Sequence, residues 1–201
     1  IRFGRWRELL DVQAPVDSKV WPHTIAITHY GQGIASAVLG DVEGADSYLR
    51  LLREDAARVP AENVLHNNTC ASLLEIAVAM LEGEIAYRRK QYDPAFARLR
   101  DAVQLSDQLV YDEPWGWMQP PRHALGALLL EQGECAQAEA LFRQDMDRGN
   151  FGRCHPDNIW ALKGLHRALS IQLEAPPTAT GEPGPEPAAA VAVAARRVEC
   201  E

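Results

Sequence analysis

The chain has 201 residues, of which 47% are hydrophobic, and its 28 acidic residues against 20 basic ones give a formal net charge of −8. This length and composition allow one domain with a substantial core. The acidic balance argues against nucleic acid and anionic membranes as partners. No apolar run approaches the roughly 18 residues of a transmembrane helix, and the four cysteines are too dispersed to form a CxxC pair. We therefore expect a cytoplasmic protein.

Residues 1–14 have the pattern of an incomplete helical unit. Gly4 precedes the apolar residues Trp6, Leu9 and Leu10, which predicts a turn followed by a second helix. The first helix of this unit would lie upstream of residue 1. A connector with prolines follows, because proline disfavours a helical conformation in the residue before it.

Three later segments, residues 23–58, 70–106 and 119–148, share one spacing of small and large residues. In each segment a glycine is followed twelve positions later by an alanine, and four positions after that by a large apolar residue. Residues four apart lie one turn above another on a helix, so the spacing predicts a helix, a turn and a second helix. The three sets are Gly33, Ala45 and Leu49; Gly83, Ala95 and Leu99; and Gly126, Ala138 and Phe142.

The end of the chain departs from this pattern. Residues 157–173 predict one more first helix, with Trp160 and Gly164 on it. Residues 175–187 are rich in Pro, Gly and Ala and predict a linker. Residues 188–201 have a helix-forming composition. Two interpretations stay open for them, a displaced terminal helix or a tail.

The repeated spacing resembles the tetratricopeptide repeat, in which each unit is a pair of antiparallel helices. From about Thr24 to Leu173 the chain is similar to divergent, long-repeat proteins of this family of the bacterial type. The resemblance implies an all-α fold, with residues 1–174 forming a right-handed superhelix of helix pairs. It also implies a concave groove, lined by the first helix of each pair, that receives a peptide or another ligand.

Counting from the glycine of each unit, the resemblance assigns three inward-facing residues to each first helix, and six of these are the candidate groove residues. Tyrosine and methionine would supply contact area there, while a carboxylate and an imidazole would orient a polar group. The groove residues are Tyr30, Ile34, Met80, Glu84, Tyr87 and His123.

A long segment between two repeats places aromatic residues beside carboxylates. Long loops of this kind often carry function, so we predict a lid or rim over the groove. For the two tryptophans the alternative is a plug that seals the junction between repeats. The predicted rim residues are Tyr111, Asp112, Glu113, Trp115 and Trp117.

No sequence signature of catalysis is present: the chain lacks GxSxG, HExxH, a Walker glycine loop and a dinucleotide fingerprint. We predict a protein-interaction module that binds an extended peptide or a helix, without a cofactor, a metal, or a nucleic-acid or membrane partner. One alternative is a small-molecule or metal-dependent enzyme that gathers His29, Glu84 and His123 in the groove. Another is a structural subunit of a larger assembly. The sequence does not indicate an oligomeric state.

Overall fold

A computed structural model describes residues 1–149 and 154–174. Over these residues the chain is all-α, as predicted, apart from one short hairpin. The predicted linker 175–187 and the segment 188–201 lie outside the described residues. The chain divides into two compact units, and the division falls between Pro121 and Arg122.

Unit 1 contains two pairs of antiparallel helices, with α1 (Trp6–Leu10) before them. The first pair is α2 (Pro22–Val38) and α3 (Val42–Ala56), and the second is α4 (Cys70–Arg88) and α5 (Tyr92–Asp107). The members of each pair pack on each other, and α2 also packs on α4. Between the pairs lies a hairpin in which β1 (Val64–Leu65) is antiparallel to β2 (Asn68–Thr69).

Unit 2 carries the last three helices that the structure describes. Helix α6 (Pro121–Glu131) begins at the boundary between the units, and α7 (Cys135–Met146) and α8 (Ile159–Glu174) follow. Helices α7 and α8 pack on each other. The fully buried side chains of this unit include Leu125 and Leu129 of α6 and Phe142 of α7.

The twelve-then-four spacing has a physical cause in two of the three pairs. A Cβ atom added at Gly83 would lie 2.6 Å from Leu99 Cγ, and one added at Gly126 would lie 2.6 Å from Phe142 Cζ. The glycine of the first helix thus makes room for the large residue of the second helix. In the pair α2–α3 the arrangement differs, because Gly33 faces α4. A Cβ atom added at Gly33 would lie 2.6 Å from Leu81 Cδ2.

The short helix α1 packs on α2. The side-chain amide of Gln32 donates hydrogen bonds to the backbone carbonyls of Leu10 and Val12, at 3.2 and 3.0 Å. Gly31 is in close contact with Leu9. The last carbonyls of a helix have no partner within it, and Gln32 supplies a partner for the carbonyl of Leu10, the last residue of α1.

Candidate functional site

The groove residues predicted for unit 1 lie on its two first helices, Tyr30 and Ile34 on α2 and Met80, Glu84 and Tyr87 on α4. All five are buried, with exposed fractions of 3%, 6%, 2%, 8% and 5% in that order. The sequence-based expectation was of side chains open to a partner. The structure instead covers them, and part of the cover is the segment predicted as a rim.

Residues 109–120, which we call the rim loop, reach the face of α2 and α4 through two side chains. The Trp117 ring lies against Tyr30, with ring centroids 5.4 Å apart and planes inclined by 57°. The Tyr30 hydroxyl donates a hydrogen bond to Gln119 Oε1 at 3.0 Å and lies 3.5 Å from Met80 Sδ. The predicted groove residues Tyr30 and Met80 are therefore neighbours, and the rim loop contacts Tyr30 directly.

A buried carboxylate adds negative charge beside this contact. Glu84 Oε1 accepts hydrogen bonds from Nε and Nη2 of Arg88, at 2.8 and 2.7 Å. Burial, reinforced by the charge of Glu84, raises the pKa of Tyr30 far above its ordinary value. The Tyr30 hydroxyl thus remains a hydrogen-bond donor at every physiological pH.

The hairpin holds the other end of the rim loop. Asp112 accepts hydrogen bonds from the backbone N–H of Asn67 at 3.1 Å and from the side-chain amide of Asn68 at 2.7 Å. The same Asn68 amide donates to the carbonyl of Val110 and accepts from its N–H, both at 2.8 Å. The polar atoms of the Asn68 side chain are therefore paired, as is usual for a buried amide.

The five predicted rim residues divide into two groups. Asp112 and Trp117 point inward and are only 4% and 8% exposed. Tyr111 is 39% exposed and its hydroxyl donates to the exposed Glu113, while Trp115 is half-buried. The sequence analysis missed Gln119 and Asn68. A local signal existed for Gln119, because the residue before a proline is biased toward an extended conformation.

Tyr87 serves packing within a helix pair. Its ring lies 5.3 Å from Tyr92 and 6.1 Å from Phe96 of α5, and the Arg88 guanidinium lies 5.4 Å from its ring centroid. The prediction placed Tyr87 in the groove. Its position differs because the side chain turns toward the second helix of its own pair, where it gains aromatic contacts.

Two histidines of the enzyme alternative contact aspartates. In unit 1, His29 Nδ1 lies 2.6 Å from Asp55 Oδ2, and Arg58 donates to the other oxygen at 3.1 Å. Asp55 and Arg58, together with Lys19, contribute to the lining of a cavity of about 350 Å³. Asp55 is thus one link of a His–Asp–Arg chain that reaches an open cavity.

In unit 2, Asp145 joins two histidines. His123 Nε2 lies 2.7 Å from Asp145 Oδ2, and His155 Nδ1 lies 2.7 Å from Asp145 Oδ1. Asp145 is 0% exposed. Burial opposes its ionisation, but the hydrogen bonds from His123 and His155 outweigh burial and hold the pKa of this carboxyl below its ordinary value. His123 therefore orients toward a buried carboxylate that the sequence analysis did not single out.

Neither of these two groups forms a metal centre: within the described ranges, 1–149 and 154–174, no cluster of three or more His, Cys, Asp or Glu side chains is arranged to hold a metal ion. None of the helices in those ranges is both long enough and apolar enough to cross a bilayer. No protein-family model, curated protein or solved structure matches the chain.

Proposed function

We propose that the chain is a protein-interaction module of the tetratricopeptide type, a superhelix of helix pairs that binds an extended peptide or a helix on the face of its first helices. In unit 1 this face carries Tyr30, Met80 and Glu84. The repeated close approach at Gly83 and Gly126 supports the assignment of a common helix pair.

One observation carries the proposal: a non-helical segment of the chain itself already lies on this face. The rim loop places an aromatic ring on Tyr30 and an amide on the Tyr30 hydroxyl. A surface that holds a non-helical segment through an aromatic contact and a directed hydrogen bond has the chemistry of a peptide-binding site. The rim loop then acts as the competitor that a partner peptide displaces.

The enzyme alternative has less support within unit 1, because its two residues there have separate partners. His29 contacts Asp55, whereas Glu84 contacts Arg88. A metal measurement on protein purified without chelator tests this alternative. Stoichiometric metal that is lost in His123→Ala would favour it.

A peptide selection tests the interaction function. A random peptide library is displayed on phage and selected against the full chain, and an enriched peptide is synthesised. Hydrogen exchange measured by mass spectrometry should then show faster exchange in residues 110–119 when the peptide binds, because the rim loop leaves the face.

A matched pair of variants tests whether the rim loop competes with the peptide. Asp112→Ala removes two hydrogen bonds to the hairpin. We expect it to tighten peptide binding by roughly tenfold, since each hydrogen bond is worth about 0.5–1.5 kcal/mol. Glu113→Ala, at the exposed neighbour that accepts a hydrogen bond from Tyr111 of the same loop, should leave affinity unchanged. A peptide that binds both variants equally and does not change exchange in the rim loop would show that the face is not the binding site.

A further inference from the structure

We propose that the face of α2 and α4 selects peptides with an aromatic residue followed, two positions later, by a side-chain amide, and that Trp117 and Gln119 are the internal copy of this motif. The inference rests on the proposed function and specifies its ligand. The partner is thus a non-helical protein segment with the pattern aromatic–x–Gln or aromatic–x–Asn.

The spacing of two follows from how the rim loop lies on the face. Trp117 is 8% exposed, Met118 is 55% exposed, and Gln119 turns back to the Tyr30 hydroxyl. The backbone bends at residues 116–119, and with this bend Trp117 and Gln119 both contact Tyr30. An incoming peptide that takes the same bend places its two contacting side chains two positions apart.

The aromatic preference follows from the surroundings of Trp117. Its ring is inclined at 57° to Tyr30, and the two rings are within the distance range of favourable aromatic pairs. Large aromatic side chains in desolvated pockets supply most of the energy of many protein interfaces. A smaller aliphatic side chain at this position would leave part of the Tyr30 ring without a contact.

The amide preference follows from Tyr30. Its buried hydroxyl keeps its proton and needs an acceptor, and it finds Gln119 Oε1 at 3.0 Å. A carboxylate in place of the amide would add negative charge close to Glu84, whose charge already acts on Tyr30. A neutral acceptor is therefore favoured over Asp or Glu at this position of the peptide.

The internal copy does not satisfy every polar group. Trp117 Nε1 is buried and has no acceptor among the residues that the structure describes. A buried donor without a partner costs about 1–3 kcal/mol. The rim loop is thus held less tightly than it would be if the indole N–H were paired.

The test uses a fluorescein-labelled peptide with the sequence of residues 111–120, YDEPWGWMQP, and the full chain carrying Trp117→Ala. Binding is followed by fluorescence anisotropy, and circular dichroism checks that the variant folds. We expect Trp117→Ala to bind this peptide at least tenfold more tightly than wild type, because the tethered anchor competes at a millimolar effective concentration. If Trp117→Ala does not fold, Gln119→Leu takes its place, with a smaller gain expected.

Two altered peptides identify the motif. Alanine in place of the second tryptophan should weaken binding at least tenfold. Leucine in place of glutamine should weaken binding of the peptide to the Trp117→Ala chain. It should not weaken binding to a chain that carries both Trp117→Ala and Tyr30→Phe. Equal binding of the original and the alanine peptide would overturn the motif. The motif would also be overturned if the leucine peptide bound more weakly than the original peptide to the chain with Tyr30→Phe.

The outcomes also separate the motif from the proposed function. If selected peptides displace the rim loop but lack an aromatic–x–amide pattern, the function stands and the motif is wrong. If no peptide displaces the rim loop, both are wrong. A concentration-dependent dimer of wild type that Trp117→Ala abolishes in sedimentation would make a second copy of the rim loop the occupant, and would overturn the assignment to a separate partner.

Discussion

A single backbone angle marks the turn of each helix pair. The residue that ends the turn has a positive φ in all three, +90° at Gly40 and +80° at Gly133, and +62° at Lys90. A residue with a Cβ atom is strained in this region, at a cost of about 1–2 kcal/mol. The pair α4–α5 therefore keeps the turn geometry of the other two pairs, although Lys90 stands where the other two have glycine.

We predict that Lys90→Gly stabilises unit 1. The left-handed conformation would lose its strain, and the greater freedom of glycine in the unfolded chain would offset part of the gain, which leaves about 0.5–1 kcal/mol. Urea unfolding monitored by circular dichroism measures the change. Gly133→Lys is the matched reverse substitution and should destabilise unit 2. If the Lys90→Gly chain were no more stable than wild type, the positive φ at Lys90 would not cost the stability that we infer.

Residue spacing predicted this turn because its cause is local. Gly40 and Gly133 lie between two apolar periodicities, and Lys90 occupies the same position in the third pair. The burial of Tyr30 was not predictable in this way. It depends on Trp117 and Gln119, which come 87 and 89 residues later, and no helical period connects residues so far apart.

Helix α7 is tied to its neighbours in unit 2 by one carboxylate. Asp145 accepts hydrogen bonds from His123 of α6 and from His155, which precedes α8. A fully buried carboxylate is costly unless it is paired, so this contact contributes stability only while Asp145 is ionised. Among the residues that the structure describes, the titratable groups that act on the Asp145 pKa are these two histidines.

We predict that Asp145→Asn destabilises unit 2 by roughly 2 kcal/mol near neutral pH, because an amide has only one oxygen to accept from two imidazoles. The pKa of Asp145 is lower in the folded state than its ordinary value of 3.8. Its contribution is therefore complete above about pH 5 and disappears as the pH falls through the folded pKa. The stability gap between wild type and Asp145→Asn should close in the same pH range.

Fluorine NMR on protein labelled with 5-fluorotryptophan measures this gap during urea unfolding. Trp160 is the one tryptophan of unit 2 in the sequence, so its resonance reports that unit separately. Asp147→Asn, at an exposed carboxylate two residues further along, is the control and should change little. If the difference in unfolding free energy between wild type and Asp145→Asn stayed constant from pH 7 to pH 2.5, Asp145 could not be ionised in the folded chain.

The helices and the connections between them differ in how far sequence could predict them. Helices α2 to α5 lie where the repeat pattern placed them, because helical periodicity is written in neighbouring residues. The hairpin at residues 64–69 was not predicted. Its ladder has only two residue pairs, and Asn68 is held by Val110 and Asp112, which are distant in sequence. The position of the rim loop depends on the same contacts.

At the scale of the whole molecule, the net charge of −8 affects how fast a partner arrives. Two acidic residues, Asp112 and Glu113, precede the internal copy of the motif in the rim loop. Their repulsion from the acidic chain does not slow the loop's contact with the face, because the loop is part of the same chain. A separate peptide must approach an acidic protein through solvent. Charges on its flanks should therefore change the association rate, whereas the contacts on Tyr30 determine the dissociation rate.

We predict that two lysines added to each end of the YDEPWGWMQP peptide accelerate its association with the Trp117→Ala chain. Stopped-flow anisotropy at low salt should give a rate about tenfold higher than for the same peptide flanked by glutamates. The ratio should fall toward one by about 0.5 M salt, where the screening length is only a few ångströms. Dissociation rates of the two peptides should agree, since the anchor and the amide are identical. Equal association rates at low salt would show that the net charge of the chain does not act at this face.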